Sequence, residues 1–556
     1  PGTKNNSFPG EVIMIDIQES TVGAWLNQIT REHPEREALV HQQRGSRFTY
    51  RTFMDQAARL ARGLMALGIQ KGDPVALWGS NCPEWVLTQV ALAKTGAVLT
   101  AIDPGYGLEE LRYVLSQSGV KAVLTQEGPN GSYLEMLRSL SPDFWETNPR
   151  REKALPSLRS IITLSGTETP LPGLKELSAW GERVSPSQLR GREDSLLPGD
   201  PLMLLFTSGT TGKPKGVVVD HLGILNKSLA STERMKITSE DRLCLFFPLF
   251  HMFGNTCICL SGLIRGAALV IPSDQFSPPE VLSALIREQC TAIYGSPSMF
   301  LALLEAPLFQ GFQPGNLRTG IVGGAPCPLA LMQRIVDEMG VKELAIAYGI
   351  TEASSWVTQT LPDDTLELRV STIGKALPNC EVKIVDPLTG EDLPEGQPGE
   401  ICTRGLLMKG YFQNPEATAR VIDRDGWYHT GDLGTRDAQG YFRITGRLKD
   451  VIVKEGQEIL PTEIEDAVYK IPGVAMVQAF GVPDEALGEK VAVWVKPKEG
   501  LALTEEEIRV HCREHLPGTF QPDYIRLVDD FPMTRSGKMQ KFKMREMMVE
   551  MLGKET

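Results

Sequence analysis

Short apolar runs alternate with amphipathic stretches along the first half of this chain, and that alternation restricts the fold more than any other feature. Residues 53–67 (FMDQAARLARGLMAL) have helical apolar spacing and stop at Gly68. A strand-like run, PVALW, follows at 74–78, then a helical stretch at 84–95 closed by Gly96. A helix from about 108 leads into the strand KAVL at 121–124, and the pattern resumes from 243 to 348. Strands that alternate with helices build a mostly parallel sheet covered on both faces, so the expected class is α/β. Residues 126–200, rich in Pro, Ser, Glu and Arg, read as an irregular surface insertion. From 374 to 445 short strands are punctuated by Gly, Asp and Pro, as in a β-rich subdomain, and a compact α+β remainder follows Gly446.

A chain of 556 residues exceeds one hydrophobic core, so at least two domains are expected. The net charge of -12 argues against nucleic acid as a partner. No run of about 18 apolar residues is present, so no integral membrane segment is expected. The polar start PGTKNNSFPG does not read as a secretion signal. Nine scattered cysteines include no C-x-x-C pair and read as core residues of a reducing compartment, which implies a cytoplasmic location. One acidic-free stretch, 535–545, carries five basic residues: an anion contact or a solvated basic helix.

The chemistry is concentrated after the apolar run 201–206 (PLMLLF). Ten residues, Thr207-Ser208-Gly209-Thr210-Thr211-Gly212-Lys213-Pro214-Lys215-Gly216, place four hydroxyls, three glycines and two lysines in one loop. Hydroxyls and backbone N–H groups donate to phosphate oxygens, glycine permits close approach, and lysine supplies charge. The loop reads as a polyphosphate cradle. It is not the Walker loop, because the sixth position from Gly209 is Pro214 and glycine follows the lysine. Three later clusters suit a nucleotide as well. Tyr348-Gly349-Ile350-Thr351-Glu352 offers an aromatic face, a hydroxyl and a carboxylate; Tyr428-His429-Thr430-Gly431-Asp432 offers a carboxylate for ribose hydroxyls; and Pro532–Lys538 (PMTRSGK) puts a lysine on a glycine-containing loop.

In this order, with PLFHMFG at 248–254, GGAP at 323–326 and GRLKD at 446–450, these motifs resemble the acyl-adenylate-forming (AMP-binding) superfamily, and most of all stand-alone fatty acyl-CoA synthetases. The resemblance runs from about residue 20 to 545. It implies a large N-terminal domain, 1–448, that includes the β-rich subdomain, and a small mobile α+β domain, 449–556, hinged at Lys449. It implies ATP-dependent activation of a carboxylic acid to acyl-AMP, then transfer to the thiol of coenzyme A, with Mg²⁺ as cofactor. The cradle and Lys215 would hold the β- and γ-phosphates, Glu352 would bind Mg²⁺, and Thr351 would contact the α-phosphate. Tyr348 would stack on adenine, with Gly323, Gly324 and Ala325 lining the base pocket. Asp432 and Arg447 would hold the ribose. Lys538 would neutralise charge where the acyl–phosphate bond forms. Gly456 would line the pantetheine tunnel, although relatives often have two consecutive glycines where this chain has Glu455-Gly456.

The stretch 248–254 carries none of the carboxylates with which amino-acid-activating relatives bind an amino group, so an apolar acid is expected. His251 matches a position near the substrate carboxylate. Trp356 falls where relatives often carry a smaller residue beside the acyl pocket, so its bulk favours a medium-length acid. The alternatives are loading of a separate carrier protein and an aryl-CoA ligase. A luciferase-like oxygenase and an inactive nucleotide-binding regulator are weaker readings. A homodimer is compatible with the sequence.

Overall fold

The computed structural model describes residues 15–128, 131–145, 155–164, 171–207, 214–313, 315–484, 486–498, 500–533 and 539–555. The chain divides into two compact units, Pro1–Glu381 with Thr403–Tyr428, and Val382–Cys402 with His429–Thr556.

The first unit is built on two sheets. In one, the strands Pro201–Thr207, Val98–Ile102, Pro74–Trp78, Ala122–Thr125 and Ser160–Thr163 lie side by side in that order and parallel. Lys215–Asp220 and then Gly410–Tyr411 extend it antiparallel beyond Pro201–Thr207. The order reverses at Pro74–Trp78, whose successors pair on opposite sides, the signature of a doubly wound sheet. The second sheet has nine strands. Its parallel centre includes Glu343–Ile350, Thr319–Val322, Ala292–Gly295 and Arg242–Cys244, with the antiparallel strand Ser355–Gln359 beside the first of these. The expected α/β class is borne out.

The helices form where the spacing predicts. Tyr50–Ala66 buries Phe53, Ala57, Leu60, Ala61 and Leu64 along one stripe, and the Thr49 hydroxyl caps it by accepting from Thr52 N. Pro83–Thr95 is buried on every side except at Glu84, which suits a helix enclosed by other elements. The reading of 126–200 as an irregular insertion is corrected. It contains the helices Ser132–Leu140, Leu174–Trp180 and Pro186–Asp194 and the edge strand Ser160–Thr163. Contact with Tyr50–Ala66 is tight enough that a Cβ on Gly63 would lie 2.2 Å from the Leu177 carbonyl oxygen. A four-residue strand inside Pro- and Ser-rich text is too short to show a period.

The second unit's first sheet is formed by four strands, Glu381–Val385, Gly399–Arg404, Tyr428–Arg436 and Phe442–Arg447, whose ends at Glu381, Thr403–Arg404 and Tyr428 belong to the first unit. A further sheet takes Gln457–Ile459, Ile452–Lys454, Gly488–Pro497 and Val474–Asp484, with Tyr524–Leu527 parallel to Gly488–Pro497. The basic run ends in the helix Lys541–Glu555, where Lys541 pairs with Glu465 at 2.7 Å and Arg545 with Glu489 at 2.8 Å. Among the described residues no helix is long and apolar enough to cross a membrane.

Candidate active site

The cradle begins at the carboxyl end of Pro201–Thr207, the edge where open α/β sheets bind ligands. Thr207 and Lys215 are register partners at the base of the connecting loop. Ser208, Gly209, Thr210, Thr211 and Gly212 lie outside the described residues. Lys215 Nζ sits 5.0 Å from the centre of the Tyr411 ring, within cation–π range.

Glu343–Ile350 carries Tyr348 and runs into a tight turn, Thr351–Ala353, that holds Thr351 and Glu352. The return to Ser355–Gln359 places Ser354 at φ 58° and Ser355 at φ 135°. Two successive non-glycine residues in that region cost about 1–3 kcal/mol each, and such strain persists where neighbours over-determine the turn. Here the Glu352 carbonyl accepts from Met408 N at 2.8 Å, and Glu352 Oε1 accepts from the Tyr411 hydroxyl at 3.0 Å. Burial, reinforced by the Glu352 charge, raises the ionisation of Tyr411 and Tyr428 above the usual phenol range, so both remain protonated donors. Gly323, Gly324 and Ala325 follow the neighbouring strand Thr319–Val322. Gly323 N donates to Gly295 O at 3.1 Å.

An aromatic wall adjoins Gly323. A Cβ there would lie 3.1 Å from the tip of Trp356 and 3.3 Å from the Phe253 ring. Trp356 meets Phe253 edge to face at 5.0 Å, Phe253 packs on Phe247 at 4.4 Å, and Phe247 contacts His251 at 5.6 Å. His251 Nδ1 accepts from Phe253 N at 3.1 Å. Trp356 is 6% exposed, and its carbonyl accepts from the fully buried Lys227 at 3.1 Å.

The second unit holds Asp432 and Arg447 as register partners on adjacent strands, with Arg447 Nε 2.9 Å from Asp432 Oδ1. The turn before Asp432 is clamped. Glu400 Oε1 accepts from Gly431 N at 2.9 Å, and its Oε2 lies 2.8 Å from His429 Nδ1. The Thr430 hydroxyl bonds Ile401 O at 2.7 Å and accepts from Asp432 N at 3.1 Å. Cys402 Sγ stands 3.5 Å from the same His429 nitrogen. Lys449 lies on the short turn Leu448–Asp450. Gly456 (φ 74°) and Glu455 (φ 54°) form the two-residue link between Ile452–Lys454 and Gln457–Ile459. A two-residue hairpin that needs two positive φ values explains Gly456 by its turn, since no atom lies within 4 Å of where its Cβ would be. Lys538 lies outside the described residues.

Residues 26–412 match the AMP-binding enzyme family, and residues 463–538 match the AMP-binding enzyme C-terminal domain. The chain belongs to the AMP-binding enzyme family. The putative acyl-CoA synthetase YngI of Bacillus subtilis is 41% identical over 97% of this chain and 99% of its own. The medium-chain acyl-CoA ligase ACSF2, mitochondrial, of Rattus norvegicus is 36% identical over 96% of this chain and 89% of its own. Among solved structures, ATP-bound MatB from Rhodopseudomonas palustris superposes with a TM-score of 0.82 at 26% identity, covering 95% of this chain and 99% of that one. The expected enzyme class, an acid–thiol ligase, is borne out.

A carboxylate oxygen such as that of Glu352 is the hard ligand Mg²⁺ takes alongside substrate phosphates. Lys215 offers lysine charge, and Tyr348 an aromatic ring. The first unit brings Thr207, Lys215, Tyr348, Thr351, Glu352, Gly323, Gly324, Ala325, His251 and Trp356 to loops and strand ends of its two sheets. The second brings together Asp432 and Arg447. Sequence reasoning missed Tyr411, Phe253 and Glu400. Tyr411 belongs to a two-residue strand, and Glu400 to a strand whose partner lies beyond a long connection, so neither carries a local signal. Phe253 stands two residues from His251, and the apolar run around it was the available hint.

Proposed function

We propose that this enzyme activates an apolar, medium-length fatty acid to acyl-AMP and passes the acyl group to coenzyme A. The observation that carries the reading is the aromatic wall Phe247, Phe253 and Trp356 beside Gly323, with His251 at its end. Such a wall binds hydrocarbon, and the stretch 248–254 offers no carboxylate for an ammonium group. The named relatives, an acyl-CoA synthetase and a medium-chain acyl-CoA ligase, support the same substrate class.

The acid's carboxylate oxygen attacks the α-phosphorus of ATP, the bond to the β-phosphate oxygen breaks, and pyrophosphate leaves. Both reactants are anions, so the protein's contribution is positioning and charge neutralisation. Lys215 and the cradle hold the phosphates that depart. Thr351 and Lys538 contact the α-phosphate, and Lys538 also reaches the carboxylate. Tyr348 stacks on adenine against Gly323, Gly324 and Ala325, while Asp432 and Arg447 take the ribose hydroxyls. Mg²⁺, held by Glu352 when bound, supplies further neutralisation of the phosphates. In the second step the thiol of coenzyme A gives its proton to water, its sulfur attacks the acyl carbon, the bond to the phosphate oxygen breaks, and AMP leaves as an anion. The small domain, 449–556, turns about Lys449 between the steps and presents Gly456 to the pantetheine arm. All nine cysteines are buried and outside disulfides, which suits a reducing compartment, and we place the enzyme in the cytoplasm.

A panel of fatty, aryl and amino acids with ATP, Mg²⁺ and coenzyme A, read by mass spectrometry, tests the proposal. Medium-chain acyl-CoA should dominate. Absence of any acyl-CoA, or product only with a carrier protein or aryl acids, overturns it.

A further inference from the structure

Tyr411 touches two parts of the phosphate machinery at once. Its hydroxyl donates to Glu352 Oε1 at 3.0 Å, and its ring carries the Lys215 ammonium 5.0 Å from the centroid. The residue is 8% exposed and is fixed from both sides. Its backbone pairs with Val217 on the strand that begins at Lys215, and its N–H donates to Thr418 Oγ1 at 2.9 Å. The Tyr428 side chain, 5% exposed, lies near the Tyr411 hydroxyl. Among the described residues Lys215 makes no ion pair.

An ammonium and a carboxylate that serve one polyphosphate face a difficulty before it arrives, because opposite charges in a half-buried site pair with each other. An aromatic ring resolves it. The ring face attracts the cation and the hydroxyl at the ring edge binds the anion, so one rigid side chain holds both and keeps them apart. Charges held in place in advance need no reorganisation when the substrate binds.

We propose that Tyr411 is a positioning residue that spaces the carboxylate of Glu352 from the ammonium of Lys215 and presents both to the polyphosphate. The inference rests on the roles given above to Glu352 and Lys215. The two contacts separate chemically. Tyr411→Phe keeps the ring under Lys215 and removes the bond to Glu352, whereas Tyr411→Leu removes both.

The test is Mn²⁺ binding, followed by electron paramagnetic resonance, in the presence of α,β-methylene-ATP, which cannot be cleaved at the α-phosphate. Mg²⁺ half-saturation and ATP KM for acyl-CoA formation are measured beside it. Tyr411→Phe should weaken Mn²⁺ binding and raise Mg²⁺ half-saturation by about tenfold, the loss of one hydrogen bond to a charged group, with ATP KM nearly unchanged. Tyr411→Leu should also raise ATP KM by roughly two- to fivefold through loss of the cation–π contact. Tyr428→Phe, a milder change, should shift the metal constants in the same direction by less. Parent-like Mn²⁺ binding in Tyr411→Phe refutes the inference, as does an equal loss of metal and nucleotide binding in both Tyr411 variants, which is the mark of a merely structural role. A parent that binds the Mn²⁺–nucleotide complex but makes no acyl-CoA overturns the proposed reaction alone. A parent that does not bind it overturns the role of Glu352 and this inference together.

Discussion

Replacing Trp356 with alanine removes the largest side chain of the aromatic wall, and the contacts it makes set the expected effect. Trp356 is 6% exposed, meets Phe253 edge to face at 5.0 Å, and comes within 3.1 Å of where a Cβ on Gly323 would sit. A buried aromatic of this kind covers about 150–250 Å², and at about 25 cal/mol per Å² that equals the burial of roughly five to eight methylenes. Truncation costs about 3–5 kcal/mol of stability if the space stays empty. Part of that space becomes available to the substrate. Each methylene that enters it is worth about 0.8 kcal/mol, or nearly fourfold in kcat/KM. The rate profile for hexanoic through hexadecanoic acid should therefore move its optimum to longer chains, by roughly two to five carbons once partial collapse of the wall is allowed for. Pyrophosphate release, measured before coenzyme A is added, isolates the acid-binding step. Trp356→Phe, which should fold more securely, is expected to shift the optimum in the same direction by less. An equal loss at every chain length would mean that Trp356 is ordinary core and would refute the reasoning.

Three other outcomes are expected. Lys538→Ala should lower acyl-AMP formation by about 10²–10³, the usual cost of one group that stabilises developing charge, while transfer from synthetic acyl-AMP to coenzyme A stays near the parent rate. Equal loss in both half-reactions contradicts that division of labour. Glu400→Gln should loosen the turn before Asp432, because the acceptor of Gly431 N and His429 loses its charge. ATP KM should rise by about tenfold with kcat less affected, and an unchanged KM rejects the clamp. His221, fully buried at the start of the helix His221–Arg234, has its pKa lowered by burial to about 4 from a usual 6.5. Below pH 6.5 the unfolded chain binds a proton that the folded chain refuses, so stability falls as pH drops through that window. The loss by pH 4 should be about 3 kcal/mol, seen by urea denaturation and flattened in His221→Gln.

The parts of the site that lie within one stretch of chain were readable from residues alone. Thr207 to Lys215 follows an apolar strand, and its hydroxyls, glycines and lysines are a local signal that needs no partner to be read. Tyr348 to Glu352 and Tyr428 to Asp432 are short strings of the same kind. The helices and strands at 53–67, 74–78 and 84–95 were legible because their apolar spacing is a local property. The region 126–200 was not, because Ser160–Thr163 becomes a strand only by joining the edge beside Ala122–Thr125.

Amino-acid order alone determined the α/β class and the adenylate-forming family, and it supplied the candidate groups: a hydroxyl-, glycine- and lysine-rich loop, the Glu352 carboxylate and the Lys538 amine. These depend on residue type and on conformations set by near neighbours. Tertiary structure decided which groups meet. Strand order put Tyr411 beside the strand of Lys215 and under Glu352, and the antiparallel return after Ser355 brought Trp356 against Phe253. It also showed that Gly456 owes its place to a hairpin turn. Such meetings arise from sheet register and side-chain packing, sums of many weak contacts between residues far apart in the chain, and no short window of sequence contains them.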